Sequence, residues 1–243
     1  MPEPSATAKS ELAPSGTLRV GLNMSNFLLT RTDADGKPAG LAADLGRELG
    51  RRLGVPVELV PYPNPGALAD DAKSGKWDVG FLGAEPQRAS EIDFTAAYVE
   101  IEATYLVPAG SPLKSIGDVD KAGIRIAVPE RSAYELYLTR SLKNAKLVHE
   151  KGSDNAFKRF VDDKLDALAG LKPRLVTDQE NLPGSRIMDG RFTAVQQAAG
   201  TPKGRSAGAK YLGEFIEDVK ASGLVAKTIE KNNVRGLTVA AKA

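Results

Sequence analysis

Arg88 is the residue in this sequence best equipped for chemistry. It stands in AEPQRASEIDFTAAY (Ala84–Tyr98), which otherwise reads as a loop running into a strand. A guanidinium is a planar fork of donors that meets a carboxylate through two parallel, charge-assisted hydrogen bonds. The alternative is a surface ion pair with Glu85 or Glu91, worth about 0–1 kcal/mol. Two other acids, Glu85 and Glu130, lie in turns after strands. Turned inward, either would bind a cation or donate a proton; turned outward, each is a solvated loop charge.

Several classes of chemistry are excluded. The 243 residues contain no cysteine, which removes disulfides, thiolate metal sites and cysteine nucleophiles. His149 is the only histidine, so a Ser-His-Asp triad or a histidine metal site would have to use it. In KLVHEKGSD it reads as a surface histidine at a strand end. No cofactor or metal is expected. The net charge of +2 comes from 33 basic and 31 acidic residues, well mixed, and aromatics are 6%. That balance gives no case for nucleic acid or for an anionic membrane surface. No apolar run approaches the roughly 20 residues of a membrane span, so no membrane insertion is expected.

The opening MPEPSATAKSELAPSG lacks the basic-then-apolar pattern of a secretion signal. A periplasmic protein whose leader was removed and a cytoplasmic protein starting at Met1 both fit. Residues 1–16, rich in Pro, Ser and Ala, read as a flexible tail.

The elements that must position Arg88 follow from periodicity. TLRVGLN (Thr17–Asn23) reads as a strand, and TDADGKPAG is a turn around Asp35-Gly36. Leu41, Leu45, Leu49 and Leu53 mark one helical face that stops at Gly54. VPVELVPY is a second strand, Ala67–Ser74 a short helix, and WDVGFLG (Trp77–Gly83) a buried strand with Trp77, Phe94 and Tyr98 as core. This β-α-β-α-β order predicts a parallel sheet with helices on both faces. GIRIAVP (Gly123–Pro129), a helix from about Ser132 to Leu142, AKLVHE, a helix over Asp154–Val161 with Ala156, Phe157, Phe160 and Val161 inward, and LDALAGL repeat the pattern. Phe192–Gly200 is an extended return segment, and helices Ala207–Ala221 and Leu224–Lys231 close the chain. The fold class is therefore α/β, with two lobes, each a mixed sheet flanked by helices, joined by two crossings. Residues 17–106 with 197–243 form the first lobe and 107–196 the second. Such lobes bind ligands at the carboxyl ends of their strands.

GTLRVGLN, DADGKPAGLAADL, SGKWDVGF, RASEIDFTAAY, GIRIAVP and KLDALAG resemble, in order, the family 3 solute-binding proteins. These are polar amino-acid receptors of ABC importers with the type II periplasmic-binding fold. The resemblance runs over nearly the whole chain after Ser15. It implies a monomeric receptor that captures a small organic anion, a carboxylate or amino-acid-like ligand, in an interlobe cleft, with an ABC permease as partner. It also implies that Arg88, four residues before Ile92-Asp93-Phe94, binds the ligand's carboxylate.

The departures from the family pattern shift the expected chemistry. The loop before Arg88 reads GAEPQR, with Leu82, Gly83 and Ala84 where hydroxyl residues are usual. The usual Gly-Ser/Thr-Thr turn of the second lobe is Pro129-Glu130-Arg131-Ser132-Ala133-Tyr134. There Ser132 is a helix cap, a ligand donor, or both. The aspartate that accepts the ligand's ammonium is matched by Leu171, which cannot neutralise a cation. Stacking aromatics are replaced by Asn26 and Pro65, and Asn23, Asn26 and Asn64 offer neutral donors and acceptors. The expected ligand-binding residues are thus Arg88, Asn23, Asn26, Asn64, Gly83 and Glu85 in the first lobe, with Glu130, Ser132 and Tyr134 in the second. The expected role is capture, not catalysis. A dehydratase similar to the cyclohexadienyl dehydratases, or a cytoplasmic sensor, is the alternative.

Overall fold

The computed structural model describes residues 3–243; Met1 and Pro2, part of the expected tail, lie outside the described residues. In chain order the elements are α1 (Ala6–Leu12), β1 (Leu18–Asn23), β2 (Arg31–Thr32), β3 (Pro38–Ala39), α2 (Leu41–Leu53), β4 (Val57–Tyr62), α3 (Pro65–Asp70), β5 (Val79–Gly83) and β6 (Ile92–Val107). They continue with β7 (Arg125–Pro129), α4 (Ala133–Ser141), β8 (Lys146–Glu150), α5 (Gly152–Asp162), β9 (Ala167–Leu171), α6 (Lys172–Glu180), β10 (Arg186–Ile187), β11 (Thr193–Pro202), α7 (Ser206–Ala221), α8 (Leu224–Lys231) and β12 (Thr238–Val239). The chain divides into two compact units, the first running to Glu100 and resuming over Gln196–Ala243, the second spanning Ile101–Val195. The chain passes between them within two long strands, β6 and β11.

In the first unit β1 pairs in parallel with β4 (Val20↔Leu59) and with β5 (Val20↔Val79), and β11 runs antiparallel beside β5 (Gln197↔Gly83). The leucine stripe of α2 sits as its spacing predicts: Leu41, Leu45, Leu49 and Leu53 are all buried. Glycines let this helix lie against the sheet at backbone range. A methyl placed on Gly46 would lie 2.8 Å from Val20 Cγ1, and one on Gly50 would overlap the Val57 side chain. On the opposite face Trp77 is fully buried and donates its indole N–H to the Leu68 carbonyl at 3.0 Å. Tyr98 is also fully buried and Phe94 packs partly buried, so these residues are core, as expected.

A buried ion cluster ties this unit together. Asp78, with no exposure, accepts from Arg19 Nε (2.9 Å), Arg19 Nη2 (2.8 Å) and Arg205 Nη1 (3.0 Å). Its carbonyl accepts from the Thr201 hydroxyl at 3.0 Å, so β1, the entry to β5 and the end of β11 share one anchor.

The second unit orders its strands as the latter half of β6, then β9, β7 and β8, with β7 parallel to both neighbours (Ile126↔Ala167, Ile126↔Leu147). Helix α6 follows β9 without a loop, with Pro173 in its first turn where a missing N–H does no harm.

Two expectations need correction. Residues 6–12 of the expected tail form α1, capped by Ser5, whose hydroxyl accepts from Ala8 N–H at 3.1 Å. Ala8 and Leu12 are buried, and the α7 residue Gly208 leaves room for Leu12 while its N–H donates to Glu11 Oε2 at 2.7 Å. Low overall hydrophobicity concealed a helix that needs only one narrow apolar side. In α5, Val161 is exposed at 38%, whereas Ala156 and Phe160 are buried and half-buried Phe157 packs against the same cluster, as expected.

Candidate functional site

In the first unit the predicted residues gather where three adjacent parallel strands end. β1 ends at Asn23 and runs into the loop holding Asn26; β4 leads to Asn64; β5 ends at Gly83 and leads to Glu85 and Arg88. Arg88 is 5% exposed, and its Nη1 donates to the Gly83 carbonyl at 2.8 Å. Its own N–H donates to the Glu85 carbonyl at 2.9 Å, closing the short turn that aims the side chain back at the strand end. Glu85 is half-buried in the same turn.

The asparagines show a common pattern. Asn23 Oδ1 accepts from the Ser25 hydroxyl (2.8 Å) and N–H (3.2 Å); Asn26 Oδ1 accepts from Leu28 N–H (3.2 Å). Asn64 Oδ1 caps α3 by accepting from Ala67 N–H at 2.8 Å. Each oxygen is engaged by backbone, and each Nδ2 makes no hydrogen bond among the described residues. Asn23 and Asn26 are buried, and Asn64 is exposed. The edge therefore offers donors, which suits an anion.

In the second unit the strand-end groups hold one another. Ser132 is a helix cap: its hydroxyl accepts from Glu135 N–H at 3.1 Å. Burial pushes the Tyr134 phenol up to about 12, opposed by hydrogen bonds with the Ser153 and Ser132 hydroxyls. Arg174 reaches from α6 to Asp178 (2.9 Å) and to Asp154 (2.7 Å). Burial raises the Asp178 carboxyl above its ordinary value, and Arg174 pulls it back. Glu130 is exposed, with its N–H on the Glu150 carbonyl at 2.8 Å. His149 is a surface histidine, as expected, with its side chain 46% exposed, and its Nε2 lies 3.0 Å from Glu135 Oε1.

A profile of the bacterial extracellular solute-binding proteins, family 3, matches residues 18–234. The chain is a family 3 bacterial extracellular solute-binding protein. Solved structures agree with that placement of the solute-binding protein. An ancestral arginine-binding protein bound to arginine is 26% identical, with 89% of this chain and 98% of that chain covered and a TM-score of 0.74. An L-cysteine solute receptor of Neisseria gonorrhoeae is 22% identical over 96% of both chains, at a TM-score of 0.77. An ancestral amino-acid-binding protein, a precursor of cyclohexadienyl dehydratase, is 24% identical over 93% of this chain and 99% of that one, at 0.76. The latter two speak to the fold, the two-lobed type II periplasmic-binding fold. No curated protein matches this solute-binding protein in sequence. Among the described residues no helix is long and apolar enough to cross a membrane, and no acid or histidine cluster could hold a metal.

Sequence reasoning missed three residues of the solute-binding protein's strand ends. Phe27, 51% exposed beside Asn26, is an aromatic in the β1–β2 loop, one position from where the resemblance placed a loss. Gln197 is 4% exposed, stands opposite Gly83, and its Oε1 has no hydrogen-bond partner among the described residues. A buried orphan acceptor is uncommon in folded proteins. Glutamine inside the apolar run FTAVQQAAG was the available signal. Glu135 gave a weaker one, the Ser-x-x-Glu spacing of a capping box.

Proposed function

We propose that this solute-binding protein captures a small amino-acid-like solute through its carboxylate, outside the cytoplasmic membrane, and delivers it to an ABC permease. Arg88 is the carboxylate-holding cation. The β7–α4 turn of the second unit takes part through its backbone shape, with Ser132 and Tyr134 hydrogen-bonded within their own unit. One observation carries this reading: a buried guanidinium and three carboxamides whose nitrogens make no hydrogen bond among the described residues stand at or just beyond the carboxyl ends of β1, β4 and β5. Family membership supplies the receptor role. The arginine-bound relative favours an amino-acid-like solute. Half-buried Leu171 offers no carboxylate to an ammonium, so the anionic end of the solute contributes most of the affinity.

A melting screen against amino acids and small hydroxy acids tests the reading. A solute at 100 times its Kd stabilises the native state by about 2.7 kcal/mol. At least one carboxylate is expected to raise Tm by several degrees, and its amide or ester counterpart is expected not to. Equal shifts with acid and amide would defeat the assignment of Arg88.

A second reading has one structural foothold, Glu85 half-buried in the turn that holds Arg88. Turnover of a cyclohexadienyl carboxylate, lost in Glu85→Gln, would favour an enzyme.

A further inference from the structure

We propose that Glu135 is a positioning residue, whose buried carboxylate sets the β7–α4 turn in the shape presented to solute. The proposal rests on the reading above that this turn takes part in recognition.

The turn Pro129-Glu130-Arg131-Ser132 contains no glycine, yet Arg131 adopts φ +60°. Left-handed backbone is disfavoured for a residue with a Cβ, so something outside the residue must hold it there. The Arg131 N–H donates to Glu135 Oε2 at 3.0 Å. Glu135 is 6% exposed, and its other oxygen accepts from the Thr139 hydroxyl at 2.7 Å and lies 3.0 Å from His149 Nε2. A carboxylate held at both oxygens has little freedom, and it fixes the amide it accepts from.

The arrangement departs from an ordinary capping box. There, the glutamate three residues into the helix reaches the N–H of the cap residue. Here Ser132 N–H turns instead toward the Pro129 carbonyl (3.4 Å), and the carboxylate takes the N–H one residue further out, on the left-handed residue itself. His149 lies on β8, which pairs with β7 at Val128↔His149. The clamp therefore joins α4, the turn and a second strand. Its purpose is legible from its address: of the amides near the helix start, it holds the one whose conformation decides where Ser132 and Tyr134 point.

Backbone hydrogen exchange tests this without any ligand. Glu135→Ala is expected to speed exchange at the Arg131 and Ser132 amides by about tenfold or more, the loss of one hydrogen bond to a charged group, and to leave Ile126–Val128 unchanged. Glycine adopts positive φ without strain, so Arg131→Gly should remove the need for the clamp. The double variant Arg131→Gly/Glu135→Ala is then expected to bind solute within about threefold of Arg131→Gly alone, whereas Glu135→Ala alone weakens binding by about tenfold. The probes are L-arginine, L-cysteine and lactate, read by calorimetry. Unchanged exchange in Glu135→Ala overturns the proposal. So does failure of Arg131→Gly to rescue binding, which would make Glu135 a support of α4 alone. If Glu135→Ala does not fold, Glu135→Leu is read instead. Its side chain fills the space but offers the Arg131 amide no acceptor, and exchange equal to wild type would overturn the proposal. If wild type binds no probe while exchange behaves as expected, the clamp stands and the solute reading fails.

Discussion

At the strand ends of the first unit, Asn23, Asn26 and Asn64 engage their oxygens with backbone and leave their nitrogens open, around a buried Arg88. At the strand ends of the second unit, Ser132, Tyr134, Glu135, Arg174 and Asp178 are engaged with side chains or amides of their own unit. Both edges are polar and both follow parallel strands. The first leaves its carboxamide nitrogens without hydrogen bonds among the described residues, and the second spends its polar groups on one another. Polar residues at a strand end are therefore poor indicators of ligand contact until their hydrogen bonds have been followed.

The sharpest way to break this contrast is Arg88→Ala. It should weaken solute binding by about 2–5 kcal/mol, roughly 30- to 4,000-fold, as when one partner of a buried charged pair is lost. The variant should still fold, since Asp78 and its two arginines anchor the unit independently. Binding equal to wild type by calorimetry would remove Arg88 from the site.

Asn64→Asp comes next. Aspartate caps a helix as well as asparagine does, so α3 should stay formed. The donor is replaced by a negative charge, and affinity for a carboxylate should fall roughly tenfold with little change in Tm. An unchanged Kd would mean that the open carboxamide serves water only.

Tyr134→Phe should show the opposite balance. Its hydroxyl is engaged by two serines, so its loss should cost about 0.5–1.5 kcal/mol of stability and change affinity by less than about twofold. A large rise in Kd at unchanged Tm would show that the second edge also bonds solute directly.

The smallest effect is a difference in sign. In the first unit the Arg51 hydrogen bond, joined by that of Arg52, holds the Glu48 carboxyl down to about 2 from 4.5. Its contribution is full above pH 4.5 and is lost as pH falls toward 2. In the second unit burial raises Asp178 above its ordinary 3.8. The folded state then takes up that proton before the unfolded chain does, so stability rises as pH falls toward 3.8. Melting of Glu48→Gln and Asp178→Asn against wild type should reveal this. Acidification should shrink any advantage of wild type over Glu48→Gln and should favour wild type over Asp178→Asn. Parallel trends would refute the assignment.

Features with local, periodic causes were readable in the sequence. The α2 leucines, the burial of Trp77 and the strand-ending glycines each follow from spacing within one element. Arg88 was readable only through its motif, because nothing in its neighbours signals that it is buried. What escaped depends on residues distant in sequence. Glu135 and His149 stand on different elements, and α1 is apolar only where α7 covers it. The left-handed Arg131 contradicts local preference and is held by a neighbour four positions on. Helix α6 escaped because it begins without the loop that usually announces one.

The contact of α2 with the sheet has a consequence beyond stability. Gly46 and Gly50 seat this helix directly on Val20 and Val57, and the end of β1 with the loop after it, which receives the Ala42 N–H on the Leu29 carbonyl, carries Asn23, Asn26 and Phe27. A single methyl at either glycine would lift the helix and drag that loop with it. On the proposed reading, solute preference is thus open to retuning from positions on a buried helix face. In such a lineage, altered taste would first appear as changes in a buried helix.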